Sequence, residues 1–122
     1  MMEDRITEHF RRGEFACRCG CGADGVDRRL VESLETVREV LGRPMRIVSG
    51  VRCAAHNAAV GGKPGSAHLA GLAADVAAAD GRERFLLVDL AVAAGFRRIG
   101  VARDFVHLDL SRELPEPSLW LY

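Results

Sequence analysis

Residues 97–110 read RRIGVARDFVHLDL, and this stretch decides the fold class. Phe105, His107 and Asp109 alternate with Val106, Leu108 and Leu110, so an extended chain turns each set to its own face. RRIGVA, residues 97–102, reads as a preceding strand. A buried strand with His107 and Asp109 on one face belongs to a sheet whose polar side lines a site. Upstream, RPMRIVSG at residues 43–50 is a third short strand, with Met45, Ile47 and Val48 ending at Ser49-Gly50.

Helical spacing flanks these strands. Leu30, Leu34, Val37 and Leu41 recur every three or four residues, with Asp27 as an N-cap and Gly42 as a stop. A second helix is predicted from about Arg82 to Ala94, between Asp80 and Gly95. Its Phe85, Leu86, Leu87, Val88, Leu90 and Val92 cover most of the circumference, which predicts a well-buried helix. The tail ELPEPSLWLY, residues 113–122, contains two prolines and is expected to be irregular, with Trp120 packing back. Helices and strands mix without βαβ alternation. The expected class is therefore α+β, a small antiparallel sheet packed with helices, as one domain over 1–122 with its core at about 9–110 and the tail from 111.

The balance of 17 basic and 17 acidic side chains excludes a nucleic-acid binder or membrane-surface protein that relies on bulk charge. No apolar run approaches the ~20 residues of a membrane span, so no membrane insertion is expected. The opening MMEDRITEHF is charged and lacks the apolar centre of a signal peptide, so the chain is expected to be cytoplasmic where made.

The chemistry begins at SAHLAGLAADV, residues 66–76. An aspartate in such an apolar run is costly if it is buried without a partner. A lone histidine is more often a satisfied core residue than a ligand, but His68, Asp75 and His107 together offer two imidazole nitrogens and one carboxylate oxygen. Zinc binds that set and keeps a fourth position for water. Cys17, Cys19, Cys21 and Cys53 leave several readings open: reduced buried thiols, a disulfide from Cys53 to one of the others, or a small structural zinc site. Zinc knuckles usually place two to four residues between cysteines, where this chain places one.

SGVRCAAHNAAVGGKPGSAHLAGLAADV, followed by GFRRIGVARDFVHLDL, resembles the zinc D-Ala-D-Ala carboxypeptidase family, whose fold is shared with the hedgehog signalling domain. The shared elements are Ser-Gly-x-Arg, His-Asn, the Gly-Gly turn, Ser-x-His-x6-Asp and a late strand ending in histidine. The resemblance spans roughly residues 9–110, including EFACRCGCG, which occurs in a short single-domain branch. It implies His68, Asp75 and His107 as zinc ligands and Asp104, three residues before His107, as general base. It also implies Arg52 as the group that polarises the scissile carbonyl or holds substrate, and Ser66 as a substrate contact. His56 and Asn57 read as support rather than ligands, and Asp109 as a carboxylate orienting an imidazole. Several members carry a further histidine shortly before the last ligand; Ala102, Arg103, Asp104 and Phe105 stand there in this chain, so that group is missing.

The activity implied is zinc-dependent hydrolysis of bacterial cell-wall peptide containing D-alanine, by a carboxypeptidase or an endopeptidase. Such a hydrolase without a signal suits release on lysis or carriage by a phage particle. Two rivals are a zinc-containing module that binds cell wall or protein without turnover, and a protein whose only metal is structural.

Overall fold

In the computed structural model, which describes residues 4–122, Asp27 caps helix α1 (Arg28–Leu41) by accepting from the Arg29 N–H at 2.8 Å. Gly42 ends it in the left-handed conformation, at φ 75°. Leu30, Leu34 and Val37 are buried as the spacing predicts, and Val31 and Glu35 join them. Each fully buried leucine contributes roughly 1.5–3 kcal/mol. Glu35 accepts from Thr7 Oγ1 at 2.7 Å and from the His9 backbone at 2.8 Å, which fastens the N-terminal loop to the helix. Burial pushes its carboxyl up, but the bonds from His9 and Thr7 outweigh that and hold it below the ordinary value.

Five strands form one sheet in the order β1-β2-β4-β3-β5. They are β1 (Ile47–Ser49), β2 (Ala73–Ala77), β3 (Arg98–Val101), β4 (Phe105–Asp109) and β5 (Ser118–Leu121). Neighbours are antiparallel except β3 and β5, which run parallel. The expected α+β class is thus observed. A short helix α2 (Ala54–Ala59) follows β1, and α3 (Gly81–Ala93) joins β2 to β3. Val106 and Leu108 of β4, with Ala74 and Val76 of β2, enter the hydrophobic core with α1 and α3. The period of two therefore sends Asp75, His107 and Asp109 to the opposite face.

Two expectations are corrected. α3 lies between Asp80 and Gly95 as predicted, and Asp80 caps it by accepting from Glu83 N at 3.0 Å, but only Leu87 and Ala91 are buried. Phe85 is 69% exposed and Val92 60%. A helix lying over one sheet face buries a single stripe, and the i, i+4 pair Leu87 and Ala91 is that stripe. The C-terminal tail is not irregular throughout, because Ser118–Leu121 extends the sheet as β5. The backbone of Ser118 donates to Arg97 O at 2.8 Å just after the prolines, which lie outside the strand.

The register lines up one row across the polar face. Ser49 pairs with Asp75, Asp75 with His107, His107 with Gly100, and Gly100 with Trp120. Gly100 must be glycine, because a Cβ there would stand 2.4 Å from Trp120 Nε1.

Candidate metal centre and active-site cleft

His68 lies on a 3-10 turn (Ala67–Ala70) that Ser66 caps, its Oγ accepting from the His68 N–H at 3.2 Å. Asp75 is central in β2 and His107 central in β4. The three are 2%, 5% and 5% exposed, and one ligand atom from each lies within 4.8 Å of the others. The Gly50 carbonyl, 2.7 Å from His68 Nδ1, can only accept, so Nδ1 carries the proton and Nε2 keeps its lone pair. Gly50 reaches that position because its lack of a Cβ lets it pass the Phe15 backbone, which a Cβ would meet at 2.7 Å.

His68 Nε2 is buried without a hydrogen-bond partner, although it sits 3.3 Å from Asp75 Oδ1. The same carboxylate oxygen is 3.0 Å from His107 Nδ1. An orphaned imidazole lone pair converging with a carboxylate and a second imidazole fits a dication such as zinc. His107 Nε2 lies 2.7 Å from Asp109 Oδ2, and Asp109 in turn accepts from Arg98 Nε at 2.9 Å and Ser111 N at 3.0 Å. This chain fixes the His107 ring and directs Nδ1 toward Asp75. Burial pushes Asp75's carboxyl up, but hydrogen bonds and charge from His107 and His68 prevail and hold it at about 2. Burial pushes His107 down, and Asp109 and Asp75 more than reverse that, raising it above its ordinary value.

Arg52 uses its whole fork on this site. Nε donates to Ser49 Oγ at 3.1 Å, one terminal nitrogen to Asn57 Oδ1 at 3.2 Å and the other to Asp75 Oδ2 at 3.4 Å. Asn57 is buried and donates to Lys63 O at 2.9 Å, which accounts for Asn57 as support. Ser49, Arg52, His68, Asp75 and His107 line a cleft of about 1090 Å³ whose wall also holds Ser66, His56, Lys63 and Trp120. Trp120 stands 5.2 Å from the His107 ring and under the Arg98 guanidinium at 4.9 Å.

Asp104 is not brought to this group. It is exposed in the connection between β3 and β4 and is not among the residues lining the cleft. The offset of three from His107 is odd, so the pleat does not deliver it to the ligand face. Sequence reasoning missed Arg98 and the Gly50 carbonyl, and left the landing place of Trp120 open. Arg98 carried a signal, since it shares strand parity with Gly100. A backbone carbonyl leaves no mark in a sequence.

The four cysteines also meet, at the other side of the Gly50–Cys53 segment. Cys17 Sγ is 3.5 Å from Cys19 Sγ and 3.9 Å from Cys53 Sγ, Cys19 is 3.7 Å from Cys53, and none is disulfide-bonded. Backbone hydrogen bonds at Cys19 and Cys53 hold the Cys17 thiol at about 6, whereas shared hydrogen bonds with Cys17 and Cys21 push Cys19 up to about 12.

Among the described residues no helix is long and apolar enough to cross a membrane. No curated protein matches the chain at a significant level. The family model for peptidase M15 matches residues 8–109, which hold four of the five strands and every residue of the His-Asp-His group. The chain belongs to the peptidase M15 family, the zinc D-Ala-D-Ala carboxypeptidase-like metallopeptidases.

Proposed function

We propose that this protein hydrolyses a peptide bond in bacterial cell-wall peptide, with D-alanine at the cleaved bond, using zinc held by His68 Nε2, Asp75 Oδ1 and His107 Nδ1. The observation that carries the reading is the buried, unpartnered Nε2 of His68, facing a carboxylate and a second imidazole. Zinc bound there supplies a Lewis acid and a water acidified toward neutrality.

The remaining roles fall to the chain's own groups. Arg52, fixed at three points beside the triad, stabilises negative charge developing on the scissile carbonyl oxygen. Ser66 spends its oxygen on the His68 backbone and keeps its O–H to donate to substrate. Asp109, which accepts from His107, Arg98 and Ser111, orients the imidazole. Asp104 is assigned the proton transfer from water to the leaving amine on its family spacing, a role that requires the connection before β4 to turn toward the cleft when substrate binds. The cleft carries Arg18, Arg52, Lys63 and Arg98 against Asp75 and Asp109. That cationic lining suits a peptide bearing a free carboxylate.

The test is hydrolysis of a synthetic cell-wall peptide ending in D-Ala-D-Ala, with its L-Ala-L-Ala counterpart as control. Release of D-alanine that stops with chelator and returns with zinc supports the reading, and cleavage of cross-linked dimers instead would mark an endopeptidase. Zinc-loaded protein that binds cell wall but cleaves neither peptide nor cross-link would overturn it in favour of a binding module.

A further inference from the structure

The four cysteines take no part in the chemistry above, and hydrophobic burial does not explain why they meet. Cys19 and Cys21 are exposed and Cys53 is half-buried, yet all four sulfurs lie within 4.8 Å of one another. A tetrahedral centre with Zn–S bonds of about 2.3 Å has sulfur–sulfur edges of about 3.8 Å. Three of the six sulfur–sulfur edges are 3.5, 3.7 and 3.9 Å.

The local backbone is shaped for this convergence. Gly20 and Gly22 both adopt positive φ, 83° and 89°, and the Cys17 N–H donates to Ala23 O at 2.7 Å. The chain curls tightly enough for cysteines one residue apart to turn inward, which is how an unusually short spacing becomes compatible with one ion. Three backbone N–H groups point at sulfur: Cys53 to Cys17 at 3.5 Å, His56 to Cys53 at 3.4 Å and Ala23 to Cys21 at 3.5 Å. Such donors stabilise thiolate ligands. The neighbouring Arg18 spends its guanidinium on the carbonyls of Glu14, Ala16, Ile47 and Val48, not on sulfur.

We propose that Cys17, Cys19, Cys21 and Cys53 bind one zinc ion as a tetrathiolate structural centre, separate from the His-Asp-His site. It closes the 17–23 loop onto the start of α2. Cys53 follows Arg52 directly, and the same segment is tied to Phe15 O by Val51 N at 2.8 Å and to His68 O by Arg52 N at 3.1 Å. The centre therefore braces the strip of backbone that presents Arg52 and the Gly50 carbonyl, without touching the cleft's reacting groups.

The experiment is metal analysis of the full chain carrying His68→Ala and His107→Ala, purified with reductant, so that its outcome is independent of any hydrolysis. We expect about one zinc per folded chain, and cobalt replacing it to show intense thiolate-to-cobalt charge-transfer bands in the near ultraviolet. Adding Cys19→Ser and Cys21→Ser should abolish those bands. In an otherwise wild-type chain the same pair should lower the melting temperature by on the order of 10 °C while leaving turnover per folded molecule intact. Should the serine variants fail to fold, thiol alkylation of the wild-type protein decides: four thiols protected until a strong chelator is added support the centre. A folded histidine variant without metal, thiols that alkylate freely before chelation, or a mass showing disulfides would overturn it.

Discussion

His68, Asp75 and His107 are at most 5% exposed, and two of the three stand on paired central strands; Cys19 and Cys21 are exposed on the loop between an N-terminal 3-10 turn (Arg12–Phe15) and α1. In the first cluster, strand register and the core behind the sheet set the separations, and hydrogen bonds to the Gly50 carbonyl and to Asp109, with one from Arg52, aim each group. In the second, a few loop hydrogen bonds and two positive-φ glycines set them. The lesson is that a ligand set on a sheet is prepared by the fold, whereas one on a loop must prepare the fold around itself. Ion loss at the first should cost chemistry most, and ion loss at the second should cost stability most.

The largest effect tests the first half of that contrast. His68→Ala should reduce hydrolysis of the D-alanyl peptide to background and remove one zinc, with circular dichroism unchanged. An active variant, or one that unfolds, would erase the distinction between the clusters. Next is Arg52→Lys, which keeps the charge but cannot reach Ser49, Asn57 and Asp75 together. Turnover should fall by about 10²–10³ with zinc retained.

Asp109→Asn should weaken zinc at the histidine site by about 10–100-fold, read by competition with a chromophoric chelator, and leave the thiolate site unchanged. A smaller effect concerns acid. In the chelated protein, Asp75 held at about 2, below its ordinary 3.8, adds stability that is present above pH 3.8 and lost as pH falls through 2. The contribution is on the order of 2 kcal/mol. Urea denaturation of wild type and Asp75→Asn should converge toward pH 2; parallel curves would show that Asp75 is not strongly held. His107, shifted upward, acts in the opposite sense, contributing below pH 6.5 and losing that contribution as pH rises. Smallest of all, Phe85→Ser on the exposed face of α3 should change stability by no more than about 0.5 kcal/mol.

Much of this molecule was legible in its sequence, because the relevant physics is local. The Asp27 and Asp80 caps, the α1 apolar stripe and the β4 alternation depend on residues within a turn or a pleat of one another. His68, Asp75 and His107 could be grouped because their chemistry is rare in an apolar setting. What was read wrongly depended on what lies alongside. The apolar residues of α3 are the same whether one neighbour covers the helix or three, so its exposed face had to be seen. SLWLY after two prolines becomes β5 only because β3 offers it a free edge.

Composition and periodicity by themselves determined the α+β class, the capped helices, the polar face of β4 and the residue types available to hold a metal. Only the tertiary structure decided that Asp75, His107, Gly100 and Trp120 share one row, that the Gly50 carbonyl sets the His68 tautomer, and that Asp104 lies outside the cleft. It alone brought Cys53 to cysteines more than thirty residues earlier. The physical reason is that cap and pleat preferences act over a few bonds. Register, edge pairing and sulfur convergence are contacts between distant segments, chosen by the packing of the whole chain.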